Sequence, residues 1–223
     1  MNRRQLLAHI SAALACSHIP TWALAASAPV IPITPSGAKA HLDLTAAQII
    51  REQFLASEEH HPNYDVLGED MDLTAYSTAS IDALECLKPL IGGFATLGFT
   101  AVSPEMAKVL GDWKTHFLCF THLQSLEFEA ASCLGSAESG HGLVFEWPMA
   151  LDEATLRALA GNGAPLSLHL RPAPDMDCAV ALATHTHELY LTCPSVVIGP
   201  QVWSALILHA GYSFKLNRTD WPD

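Results

Sequence analysis

The residues best suited to chemistry stand at 184–188, "THTHE", where His185 and His187 alternate and Glu188 follows. In an extended segment alternate side chains share one side, so the two imidazoles would face the same way, as a metal pair requires. His116, His141 and His209 fall at roughly corresponding junctions elsewhere, and folding could gather them. The competing reading is a polar loop with solvated histidines, a coincidence that twelve histidines produce readily. His185 and His187 therefore stand as metal candidates only, with no metal or cofactor assigned. "EEHH", 58–61, carries less, because no second ligand pair keeps a fixed spacing to it.

Nucleophilic chemistry finds no anchor. The sequence contains no G-x-S-x-G, no phosphate-cradling glycine loop and no H-E-x-x-H, so no catalytic residue is assigned and the chain reads as a non-enzyme. A formal charge of −12 disfavours nucleic acid and anionic lipid as partners, since both need clustered Lys and Arg. Six cysteines occur without a CxxC, giving neither a zinc ribbon nor a readable disulfide framework. Half of the 223 residues are hydrophobic, enough for a sizeable core. Beyond the N-terminus no apolar run reaches the roughly eighteen residues of a membrane-spanning helix.

Any positioning of these groups falls to a repeated pair of elements. "AVSPEMAKVLG", 101–111, opens a helix: Ser103 caps it, Pro104 suits its first position and Glu105 meets the positive end of the dipole. Two turns are marginal alone. The stretch recurs, however, with terminal leucines Leu87, Leu110, Leu134, Leu159, Leu182 and Leu206 spaced 23, 24, 25, 23 and 24 residues apart. Upstream of each lies an apolar–x–apolar triplet, starting at Met71, Phe94, Leu118, Leu143, Leu166 and Leu189, with Phe214 last. Period two predicts a strand and the A-x-x-L spacing a helix. Units of this size stabilise one another only by stacking, so the pattern predicts an α/β solenoid with a parallel sheet.

The units resemble leucine-rich repeats, in particular a bacterial short variant of the form L-x-L-x-x-L-x-x-L-S-P-E-x-A-x-x-L. Leu118, Phe120, Leu123 and Leu126 keep its apolar spacing, as do Leu143, Phe145 and Leu151, while Ser103, Pro104, Glu105 and Ala107 match its helix start. The usual Asn position is filled instead by Phe99, Leu123, Pro148, Arg171 and Pro194. The resemblance covers 71–216 and implies a sheet on the concave side that binds a protein or peptide.

Residues 1–25 read as an export signal, with Arg3 and Arg4 before Leu6 and Leu7 in a twin-arginine-like pattern and "ALA", 23–25, as a cleavage site. Its removal leaves the mature chain at −14 in the periplasm or outside the cell. "ALAC" ending at Cys16 offers a lipid anchor as a lesser variant, and an amphipathic helix belonging to the fold is the plain alternative. A linker is expected over 26–40. A capping helix and loop should fill 41–70, the helix at 44–57 with Thr45 as N-cap and Ile49, Ile50, Phe54 and Leu55 on one face. A polar tail is expected over 217–223.

On each strand the leucines should face inward and the alternate residues outward. One expected outward column is Asp72, Ala95, Cys119, Val144, Ser167, Tyr190 and Lys215; the next is Thr74, Leu97, Thr121, Glu146, His169 and Thr192. Glu146, Trp147, His169, Arg171 and Tyr190 mix aromatic and charged groups, the composition of binding hot spots, and are the partner-binding candidates. Cys86 and Cys133 occupy equivalent helix positions two units apart, too far for a disulfide, and should be buried. The expected function is a binding or scaffold protein; the alternative is a metal-dependent protein built on His185 and His187.

Overall fold

The computed structural model describes residues 40–58, 70–88, 93–137, 140–171, 173–194, 200–209 and 214–219, all within one compact unit, 33–223. The expected export signal, almost all of the linker and the loop at 59–69 lie outside the described residues.

Six short helices follow the repeat: α2 (Ile81–Leu87), α3 (Pro104–Gly111), α4 (Phe128–Gly135), α5 (Glu153–Ala160), α6 (Met176–Leu182) and α7 (Pro200–His209). Four of the starts share one device, which Glu127 before α4 lacks. Ser80, Ser103, Asp152 and Asp175 each accept a hydrogen bond from the backbone N–H three residues on, satisfying a donor that the first helical turn leaves open. The A-x-x-L spacing becomes a buried stripe: Leu84 and Leu87, Ala107 and Leu110, Ala131 and Leu134, Leu156 and Leu159, Ala179 and Leu182 are sealed from solvent. Consecutive helices pack side by side along the chain. Burying one leucine contributes about 1.5–3 kcal/mol, so this packing, and not propensity, holds helices of seven or eight residues.

Seven strands form one parallel sheet whose spatial order is the chain order: β2 (Met71–Leu73), β4 (Phe94–Leu97), β6 (Phe117–Phe120), β8 (Gly142–Phe145), β9 (Leu166–His169), β10 (Leu189–Pro194) and β11 (Phe214–Thr219). The molecule is therefore α/β with a parallel central sheet. Two smaller parallel ladders, absent from the sequence expectation, join β1 (Ala40–Leu42) to β3 (Tyr76–Ala79), and β5 (Ala101–Val102) to β7 (Ser125–Leu126).

Leu118, Leu143, Leu166 and Leu189 lie opposite one another on adjoining strands, in one buried column. Phe94 does not join them. Ala95 pairs with both Met71 and Leu118, while Phe94 pairs with Phe117 and stacks on its ring at 5.0 Å. The second buried column decides this: Leu73, Leu97, Phe120 and Phe145 are in register, and Leu97 can enter it only if Ala95 also points inward. A slip of one residue exchanges the faces. Thr96 and Gly98 therefore replace the expected Ala95 and Leu97 on the outward side. Glycine is required at 98, because a Cβ there would collide with the backbone carbonyl of Thr74.

Backbone hydrogen bonds form rungs between neighbouring units beside buried side chains. Phe99 and Leu123 are buried, and the amides beside them reach the preceding unit: Thr100 donates to Ser77 O and Gln124 to Thr100 O, both at 3.0 Å. The Thr121 hydroxyl adds a bond to Leu97 O at 3.1 Å.

Helix α1 (Leu44–Glu58) packs against α2, with a different cap and face from those expected. Asp43, not Thr45, caps it by accepting from Ala46 N–H at 2.8 Å. Ala47 and Phe54 are buried, whereas Ile49 and Leu55 are exposed, since Leu55 sits about 100° around the helix from Phe54 and Ile49 lies nearly opposite the buried stripe. Strand β11 runs to Thr219, into the expected tail, because pairing with β10 continues to that residue. Cys86 and Cys133 are half-buried free thiols, not the buried groups expected.

Candidate binding face of the parallel sheet

Turning the leucine columns inward leaves a defined row on the other face. Asp72, Thr96, Cys119, Val144, Ser167, Tyr190 and Lys215 are successive register partners. Before it in strand direction stand Phe94, Phe117 and Gly142; after it, where the strands end, stand Thr121, Glu146, His169 and Thr192. The middle of the face is closed by its own side chains, with Cys119, Val144 and Tyr190 all buried. The Phe117 ring occupies the place where a Cβ of residue 142 would be, which explains the glycine there.

Glu146 is the charge at the centre. It follows β8 directly, on the outward side because Phe145 faces in, and is half-buried. The Cys119 thiol donates to its Oε1 at 3.5 Å, a weak bond, and burial pushes its carboxyl above the usual range. Its backbone carbonyl accepts from His169 Nδ1 at 2.9 Å, which fixes that ring with a proton on Nδ1. His169 is thereby tied down across one strand step.

Trp147, 46% exposed, lies against the ring of His122 at 6.0 Å with planes 17° apart. His122 is in turn set by Thr121. The threonine gives its single hydroxyl proton to Leu97 O, so its oxygen accepts from His122 Nδ1 at 2.7 Å. Tyr190 donates to Glu188 Oε2 at 3.2 Å, and burial together with the Glu188 charge pushes its hydroxyl up to about 12. It is a neutral donor at any physiological pH. Arg171 is exposed just past β9; its amide bonds Met149 O, and no ion pair among the described residues joins it to Glu146.

Of the five candidates, Glu146, Trp147 and His169 therefore share one end of the sheet. Tyr190 stands one strand beyond β9 in the adjoining row, and Arg171 at the rim. Phe94, Phe117 and Cys119 complete the face, and His122 stacks on Trp147 beyond the strand ends. His122 could have been found from sequence, since it stands four residues past Leu118 as Trp147 stands four past Leu143.

The histidines at the junctions do other work. His185 is fully buried and donates from Nδ1 to Ala160 O, one unit back, at 3.0 Å, while His187 is exposed. The segment is not extended as the metal expectation needed, because His185 N–H bonds Leu182 O and closes the end of α6. The two rings stand 6.1 Å apart, and among the described residues no group of three or more His, Cys, Asp or Glu could hold a metal. His141 is buried with a hydrogen bond to the Trp113 backbone, and desolvation pulls its pKa down to about 4. Asn162 donates to His141 O at 3.2 Å. These side chains stitch one unit to the last.

No family model, curated protein or solved structure matches the chain. No helix of the described residues is long and apolar enough to cross a membrane.

Proposed function

We propose that the chain is an exported, non-enzymatic binding module: a leucine-rich-repeat-like solenoid, capped by the helix at 44–58, whose free sheet face engages a protein or peptide. One observation carries this reading. Strands join the sheet in chain order with one face committed to the core; Glu146 and His169 stand at the strand ends on the other face, and the exposed Trp147, stacked on His122, follows Glu146 directly. Solenoid sheets offer such a face to partners. In this reading the sheet is the concave side, α1 covers the end of the first unit and the twin-arginine-like leader delivers the chain to the periplasm or beyond. The metal alternative lacks a third ligand among the described residues.

Pull-down from envelope extract with Glu146→Ala, His169→Ala and Tyr190→Ala tests the reading, with thermal melts run in parallel because His169 and Tyr190 are buried. Loss of one specific band in variants that still melt cooperatively is expected. Unchanged recovery in all three counts against this face.

A further inference from the structure

Given a sheet face that binds a protein or peptide, we infer a more specific chemistry within it. Glu146 and the Trp147–His122 stack form a subsite for the cationic head of a Lys or Arg side chain, presented by a basic extended peptide segment.

Three observations point to a cation. Glu146 is half-buried, yet its one described side-chain partner is the thiol of Cys119, a weak donor at 3.5 Å. A carboxylate so placed gains most from a charge-assisted donor, and none of the described ion pairs supplies one. Trp147, next in sequence, keeps nearly half its surface exposed while leaning on His122. An exposed indole one residue along the chain from a half-buried carboxylate supplies the two elements, ring face and anion, that an ammonium or guanidinium needs. The third observation is the wider field. The chain carries −12, and on this face Glu146, Glu188 and Asp72 outnumber Lys215 in the row and Arg171 at the rim, so the field favours a basic segment over an acidic one.

A peptide fits better than a free amine for a structural reason. The outward rows run along seven parallel strands, offering successive side-chain positions about 4.8 Å apart beyond the Glu146 subsite. Ser167, half-buried in those rows, suits a polar group of a chain crossing the strands.

The test is selection of random nonapeptides displayed on phage against the purified mature chain, followed by synthesis of the strongest binder. A Lys or Arg at one fixed position is expected. Replacing that residue by citrulline or norleucine, of similar length without charge, should weaken binding about tenfold or more, the scale of one charge-assisted hydrogen bond. Glu146→Gln should give the same loss and make the two peptides equivalent, while Glu127→Gln, on an exposed helix cap, changes net charge equally and should leave binding intact. Selected peptides without a basic position, or a Glu146→Gln protein that still prefers the charged peptide, would overturn the subsite but leave the binding face standing. Recovery of no peptide would overturn both. Free arginine amide binding as tightly as the peptide would overturn the peptide assignment.

Discussion

His141 makes acid the sharpest probe of how the units are joined. Its ring is sealed between units, bonded to the Trp113 backbone, and its pKa falls to about 4 from an ordinary 6.5. Because the folded value lies below the unfolded one, the unfolded chain binds more protons between those limits. Stability is therefore full above about pH 6.5 and drains away as pH falls toward 4. A gap of about 2.5 units at 1.36 kcal/mol each gives roughly 3 kcal/mol, a large fraction of a domain's stability. Urea unfolding followed by tryptophan fluorescence at half-unit steps from pH 7.5 to 4 measures the slope. His141→Gln keeps a neutral donor that does not titrate, so the difference between the two proteins isolates this group from the carboxylates. The variant is expected to lose roughly 3 kcal/mol less than the parent across that window. Parallel curves, or a parent that gains stability toward pH 4 relative to the variant, would refute the claim that His141 is buried neutral between units.

The packing leads to three more expected outcomes. Gly98→Ala should cost several kcal/mol, and more than Gly142→Ala at about 1–3, because the first Cβ meets immovable backbone and the second a ring that can turn; chemical denaturation ranks them. Leu118→Ala should cost about 2–5 kcal/mol and Phe94→Ala only about 1, since the phenylalanine is an outward, stacked residue and not part of the buried column; equal costs would contradict the register. Glu146→Gln should raise the melting temperature at pH 7.5 and leave it unchanged near pH 3.5. Its folded pKa is raised, so the native state disfavours the charge that the parent carries only at the higher pH.

The period, the element types and the inward leucines were legible in the chain before any folding. They come from spacing: A-x-x-L can be one stripe only on a helix, and apolar–x–apolar one face only on a strand. Ser103, Pro104 and Glu105 marked a helix start because capping is a local transaction within four residues. Glu146, Trp147 and His169 were recognisable as neighbours once the strands were aligned on their leucines.

Packing resolved what spacing leaves degenerate. "FATL" offers two ways of being apolar–x–apolar, and only the facing residues Leu73 and Phe120 select Leu97 over Phe94 for the core. His185 looked like a ligand because nothing local tells a solvated imidazole from one donating to a carbonyl twenty-five residues back. The stack of Trp147 on His122 and the thiol on Glu146 join residues from neighbouring units. Such contacts depend on register between strands, and register is settled by the whole sheet at once, because a strand that slips by one residue turns its buried face to water.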